Sequence, residues 1–247
     1  MNYKYELSNK FLNFKEVLIK IEDLFSASTE SIHKARNELR VADVLKEKVV
    51  IKAFKVPHFI NQFAYSFLRE GKARKSYNNA IKLEALDVNT PTPIGFIEYY
   101  RAGLLKESYF LAKYEPYDFT IREVFHHKVD DVDNILKLFA QFTFDIHKKG
   151  VWHVDYSLGN ILITKVNGSY KFSLVDINRM EFKEILPQEG LRNFNKFWAK
   201  DNNDLIIIAK EYASLTGFNE QVAIDTILNE AKALEAKVNL KRKLKGQ

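Results

Sequence analysis

Three polar side chains in one short stretch have the types and spacing to do chemistry together. They lie in His153-Val154-Asp155-Tyr156-Ser157-Leu158-Gly159-Asn160-Ile161-Leu162-Ile163 and, sixteen residues past Asn160, in Val175-Asp176-Ile177-Asn178-Arg179. A carboxylate such as Asp155 can accept the proton of a hydroxyl group. An amide oxygen and a second carboxylate, here Asn160 and Asp176, are hard donors suited to a divalent cation held against phosphate oxygens. Together these are the requirements of phosphoryl transfer to an alcohol. The competing explanation is a capped loop whose Asp and Asn serve turns.

The elements that must position these residues favour the chemistry. Residues 131–148 read as an amphipathic helix that turns Ile135, Leu136, Phe139, Phe142, Thr143 and Ile146 toward a core and closes at Lys148-Lys149-Gly150. After the loop, Ile161–Thr164 and Tyr170–Val175 read as short strands around Asn167-Gly168, a strong hairpin turn signal. The spacing from Asp155 to Asn160 matches the protein-kinase catalytic loop H-R-D-x-x-x-x-N, with Val154 in place of the arginine. Helix, loop, hairpin and metal aspartate follow one another in the order of a kinase C-lobe.

A nucleotide clamp is expected in the first half. Val49-Val50-Ile51-Lys52-Ala53-Phe54-Lys55 resembles the V-A-I-K strand, whose lysine meets the α- and β-phosphates. Strand alternation puts Lys52 on the face of Val50, opposite Ile51 and Ala53, and so favours Lys52 over its competitor Lys55. A lysine that only keeps an edge strand soluble is the structural alternative. The preceding hairpin, Ser31 to Val41, turns at Arg36-Asn37-Glu38 without any glycine, so side chains such as Lys34 and Arg36 would have to cover the phosphates. Residues 58–69 and 70–87 read as helices, the second stopped by Thr90-Pro91-Thr92-Pro93. Strands at Gly95–Tyr100 and Ser108–Tyr114 lead into a hinge, and backbone near Lys113 and Tyr114 would bond an adenine edge.

Taken together, the glycine-free first hairpin, V-V-I-K-x-F, the Lys72-Ala73-Arg74-Lys75-Ser76-Tyr77 helix start, T-P-x-P-I-G, HxDxxxxNIL and V-D-I-N-R resemble the lipopolysaccharide kinase (Kdo/WaaP) family of the protein-kinase-like superfamily. The likeness runs from about residue 30 to about residue 215. It implies an α+β, bilobal protein-kinase-like fold with a small antiparallel N-lobe sheet plus helix and a larger, mainly helical C-lobe. The corresponding division is one kinase-like domain over 1–247, with 1–29 as an N-terminal extension, 30–114 as N-lobe and 115–247 as C-lobe with a basic tail. By the same resemblance Asp155 is the catalytic base, Asn160 and Asp176 the Mg²⁺ ligands, and Lys52 the ATP phosphate lysine. Where such kinases carry a helix glutamate to orient that lysine, this chain has Asn79, with Glu84 and Glu70 as possible substitutes. The implied acceptor is a sugar hydroxyl of the lipopolysaccharide inner core, Kdo or heptose. Alternatives are an aminoglycoside-like small molecule or protein side chain as acceptor, or a nucleotide-binding pseudokinase.

Other residues carry weaker signals. His153 fits a loop-shaping role, Ser157 a turn, and Arg179 either a bidentate contact to an anionic substrate or an ion pair. His126 and His127 are adjacent, so their side chains diverge and make a poor metal pair. The 247 residues are 46% apolar and contain no cysteine, which excludes disulfides and thiol chemistry and is compatible with the cytosol. The start lacks the basic-then-apolar order of a signal peptide, and no apolar run approaches the ~18 residues of a membrane span. Residues 1–29 show only a weak helical pattern through Phe11, Phe14, Leu18 and Ile21. The formal charge is +6, and Lys241, Arg242, Lys243 and Lys245 make a basic C-terminus. A lipid-linked anionic saccharide, with peripheral contact to an anionic membrane, fits that charge better than nucleic acid. The expected location is therefore cytoplasmic, with peripheral attachment at the inner face of the inner membrane.

Overall fold

The computed structural model describes residues 2–28, 30–34, 37–54, 70–197 and 202–244. Lys55, Arg36 and the helix expected over 58–69 lie outside the described residues. The chain divides into two units: Met1–Pro116 with Asp176–Asn178, and Tyr117–Val175 with Arg179–Gln247.

The first unit is built on a six-stranded antiparallel sheet. Its strands are β1 (Asn2–Leu7), β2 (Glu30–Lys34), β3 (Asn37–Val44), β4 (Glu47–Phe54), β5 (Pro93–Arg101) and β6 (Leu104–Lys113), in the order β1-β5-β6-β4-β3-β2. β4 is the expected lysine strand, and it pairs with β6 through Ile51↔Leu111 and Lys52↔Phe110. One face is covered by the short helices α1 (Lys15–Ile19) and α2 (Ile21–Ala27), whose Leu18 and Ile21 join Phe14, Val49, Ile51, Ile94, Ile97 and Leu111 in the core. Helix α3 (Lys72–Ala85) buries Ala73, Ser76, Tyr77, Ala80 and Leu83, a single stripe at helical spacing.

The weak helical reading of residues 1–29 needs a correction at its start, where Asn2–Leu7 is a strand. Five of its six residues are exposed, yet Tyr3, Tyr5 and Leu7 alternate with Asn2, Lys4 and Glu6, the period of a strand and not of a helix. Backbone pairing to β5 makes it a strand, with Leu7 opposite Gly95. A side chain at Gly95 would put its Cβ 2.5 Å from the Glu6 carbonyl oxygen, so glycine allows this close approach.

The second unit is mainly helical. Thr120 caps α4 (Ile121–Phe125) in a reciprocal capping box with Glu123. α5 (Val132–Lys148) turns Ile135, Leu136, Phe139, Ala140, Thr143, Ile146 and His147 inward, while Phe142 is half-buried against Phe172. β7 (Phe119–Thr120), β9 (Ile161–Val166) and β10 (Ser169–Leu174) form one small sheet; β8 (Val151–His153) pairs with β11 (Met180–Phe182). Asn167 and Gly168 both adopt positive φ, 48° and 78°, as a tight two-residue hairpin requires. The remaining helices are α6 (Pro187–Arg192), α7 (Asn202–Thr216) and α8 (Glu220–Leu244).

Candidate active site

In the second unit, the loop from His153 to Asn160 is fixed by its own polar groups and by one buried aromatic ring. Tyr156 is 1% exposed, stacks on Phe139, and meets Phe194 and Phe197 edge-on. Its hydroxyl lies 2.8 Å from that of Thr143, which also bonds the Phe139 carbonyl. A buried Tyr–Thr pair of this kind leaves neither hydroxyl unsatisfied. With Tyr156 anchored inward, the neighbouring Asp155 is carried toward solvent, its side chain 37% exposed.

The buried ring of His153 ties the loop to the chain that leads toward Asp176. Its Nδ1 accepts from the Asp155 amide at 3.1 Å, which leaves Nε2 to donate to the Val175 carbonyl at 3.0 Å. This is the loop-shaping role expected for His153. The Val154 amide donates to the Arg179 carbonyl and the Asn160 amide to the Ser157 carbonyl, a turn contact for Ser157. Asn160 Nδ2 donates to the Asp155 carbonyl at 2.8 Å, and the Asn160 carbonyl accepts from Val175.

Lys196, which the sequence reading did not single out, completes the loop. Its Nζ donates to Asp155 Oδ1 at 2.6 Å and to the Val154 carbonyl at 2.9 Å. Burial pushes the Asp155 carboxyl up, but the Lys196 hydrogen bond and charge, with His153 and Arg179, outweigh it and hold the group below its ordinary range. Arg179 is exposed and makes no ion pair among the described residues. Two acceptors stay open among the described residues: Asp155 Oδ2 and Asn160 Oδ1.

A second tier lies beneath the loop. Asn193 Nδ2 donates to the His153 carbonyl at 3.0 Å, and Asn193 Oδ1 faces His147 Nε2 at 3.1 Å. His147 Nδ1 lies 2.9 Å from the Tyr212 hydroxyl. Since Oδ1 can only accept, His147 carries its proton on Nε2. Burial pushes His147 down to about 4, so the ring is neutral. Gly190 is required here, because a Cβ would lie 2.0 Å from the Tyr212 hydroxyl.

In the first unit, Lys52 is 9% exposed and its Nζ is ion-paired with Asp176 Oδ1. Asn178 Nδ2 donates to the same oxygen at 2.6 Å. Asp176 has φ of 54°, the left-handed region that few residues other than glycine enter, and the hydrogen bonds around its carboxylate hold it there. The sequence reading set Asn79 beside Lys52; the structure gives a different contact. Asn79 Nδ2 donates to the Ile177 carbonyl at 2.7 Å, while Lys52 is engaged by Asp176. The physical reason is charge: a carboxylate competes better than an amide for a buried ammonium. Glu84 pairs with Lys10 and Glu70 accepts from Asn78, so neither meets Lys52. At the hinge, the Lys113 amide donates to Thr92 and the Tyr114 amide to Lys48, so both N–H groups are committed within the unit; Lys113 Nζ pairs with Glu47. His127 faces the buried Asp204 carboxylate at 3.2 Å, a contact adjacent-histidine reasoning did not foresee.

By type, Asn160 Oδ1 in the second unit and, in the first, the Asp176 oxygen that Lys52 leaves are each hard donors of the kind Mg²⁺ takes, and Mg²⁺ is ordinarily held by one or two carboxylates plus substrate phosphates. Among the described residues no cluster of three or more His, Cys, Asp or Glu side chains offers an alternative metal site.

The fold these units define is the protein-kinase-like α+β fold. A solved structure of WaaP in complex with acyl carrier protein matches it with a TM-score of 0.59 at 14% sequence identity, over 96% of this chain and 98% of that one. At that identity the likeness shows the fold alone. No family model matches the chain, and no curated protein is matched.

Proposed function

We propose that this chain is an ATP- and Mg²⁺-dependent kinase that transfers the γ-phosphoryl group to a sugar hydroxyl of the lipopolysaccharide inner core, Kdo or heptose. One observation carries the reading. Every backbone and side-chain polar group of Asp155 and Asn160 is spent holding the loop, save one carboxylate oxygen and one amide oxygen. Those two are the acceptors that a base and a metal ligand need. The WaaP-like fold and the motif resemblance to lipopolysaccharide kinases support the choice of acceptor.

In this reading Asp155 Oδ2 aligns the acceptor hydroxyl and takes its proton as the phosphoryl group leaves ATP. Lys52 meets the α- and β-phosphates, and Asn79 steadies the segment bearing Asp176 through Ile177. Lys113 and Tyr114 offer adenine their carbonyls, since their amides are committed. Asn160 and Asp176 hold Mg²⁺, which neutralises the triphosphate charge. Such catalysis rests on positioning and electrostatics. We further propose that α8 contacts an anionic membrane surface: Lys237, Lys241, Arg242 and Lys243 lie on its last turns beside Leu240 and Leu244, which are 58% and 79% exposed. No helix among the described residues is long and apolar enough to cross a membrane.

The test is Mg²⁺-dependent ATP turnover and radiolabel transfer to purified lipid A–core, compared with aminoglycosides and proteins. Wild type should label the core; Asp176→Ala should lose turnover, and Asp155→Asn should lower kcat by ~10²- to 10⁴-fold. Label on an aminoglycoside or protein alone would move the acceptor assignment to that class. Absence of turnover in wild type would make the chain a nucleotide-binding pseudokinase.

A further inference from the structure

The Lys196 ammonium is the one cation hydrogen-bonded to the Asp155 carboxyl among the described residues, and no recognised motif contains it. We propose that Lys196 is a positioning residue of the phosphotransfer reaction, fixing the Asp155 carboxyl so that Oδ2 alone faces the acceptor hydroxyl. The proposal rests on the kinase reading above and adds a residue to it.

A carboxyl group on a half-exposed side chain rotates about its Cβ–Cγ bond, and its two oxygens are chemically equivalent. A base of that kind spends part of its time with neither lone pair aimed at the proton. In this structure the equivalence is broken. Lys196 Nζ binds Oδ1 at 2.6 Å, and the same ammonium binds the Val154 carbonyl at 2.9 Å, on the residue just before Asp155. Two donors of one nitrogen therefore clamp side chain and backbone together, and the torsions between them are fixed. The clamp is itself held. Val154 is pinned on its other side by its amide bond to the Arg179 carbonyl. Lys196 closes the short 3-10 helix Asn193–Lys196, whose Asn193 and Phe194 are buried. Asn193 Nδ2 bonds the His153 carbonyl, two residues before Asp155, at 3.0 Å. The helix thus touches three successive residues of the loop: His153 through Asn193, and Val154 and Asp155 through Lys196. The lysine stem is 32% exposed and meets the loop from outside the apolar core, so its removal leaves the packing of Tyr156, Phe194 and Phe197 in place.

A double-mutant cycle on ATP turnover tests this, with Lys196→Met, Asp155→Asn and the pair, each checked by melting temperature. Lys196→Met should lower kcat by about 10- to 100-fold, the usual scale for a residue that orients a reacting group, and leave KM for ATP within about twofold. Lys196→Arg, which keeps two donors, should recover most of the lost kcat. In the Asp155→Asn background the Lys196→Met loss should vanish, because nothing remains to be oriented. Losses that multiply across the cycle, or full kcat in Lys196→Met where Asp155→Asn has lost it, would overturn the proposal and leave the kinase reading standing. A lowered melting temperature with unchanged kcat per folded molecule would make Lys196 purely structural, and also overturn it. Wild-type turnover retained in Asp155→Asn, or absent altogether, defeats the kinase reading itself and this proposal with it.

Discussion

Acidification should destabilise the second unit through one imidazole. Burial holds His147 neutral down to about 4, against an ordinary value of 6.5. The unfolded chain protonates this histidine near 6.5 and the folded chain only near 4, so the unfolded state binds the extra proton between those values. The contribution to stability is therefore fully present above about pH 6.5 and is lost as pH falls toward 4. Within that window the slope is at most about 1.4 kcal/mol per pH unit, and between about pH 7.5 and 4.5 the loss is on the order of 2–3 kcal/mol. The group is almost wholly buried, so solvent screening does not reduce this figure much. Carboxylates titrate in the same range, so the useful quantity is a difference. Urea unfolding of wild type and His147→Gln at several pH values should give curves that converge on acidification. The variant begins less stable, having lost the fit to Tyr212 and Asn193, and then lacks the histidine's share of the pH dependence. Parallel curves across the window would refute the reasoning, as would an NMR titration of the His147 ring centred near 6.5.

Two further outcomes are expected. Gly95→Ala drives a methyl into the Glu6 carbonyl and should detach β1 or strain β5, costing about 1–3 kcal/mol and several degrees of melting temperature; an unchanged melting curve would show that β1 does not approach there. Flotation of the full chain with liposomes should rise with the fraction of anionic lipid and fall when Lys237, Lys241, Arg242 and Lys243 are all changed to Gln; equal flotation on neutral vesicles would remove the membrane contact.

What could be read in the sequence was what repeats with a period or a fixed local spacing. The stripe of α5, the Asn167-Gly168 hairpin and the lysine strand each announce themselves over a few residues. The polar set Asp155, Asn160 and Asp176 was legible for the same reason, since its spacing is set by one loop and one hairpin. Lys196 was not, because its meeting with Asp155 spans 41 residues and depends on the fold alone. β1 was hidden because its alternation of Tyr3, Tyr5 and Leu7 spans only six mostly exposed residues and its partner lies far along the chain in β5. Asn79 was assigned to Lys52 by its spacing from Leu83, Leu86 and Pro91, and such spacing does not say which acceptor a side chain finds, here the Ile177 carbonyl.

Asp176, Ile177 and Asn178 group with the sheet unit although the residues on both sides of them belong to the helical one. The sheet unit therefore corresponds to no continuous stretch of chain. A fragment ending at Pro116 would keep Lys52 buried in β4 and lose its counter-ion, and Asn79 would lose the carbonyl it binds. The sheet unit cannot be inherited, swapped or expressed as a module with its polar contacts intact. Whatever substitutions accumulate in one unit must remain compatible with three residues that the other delivers.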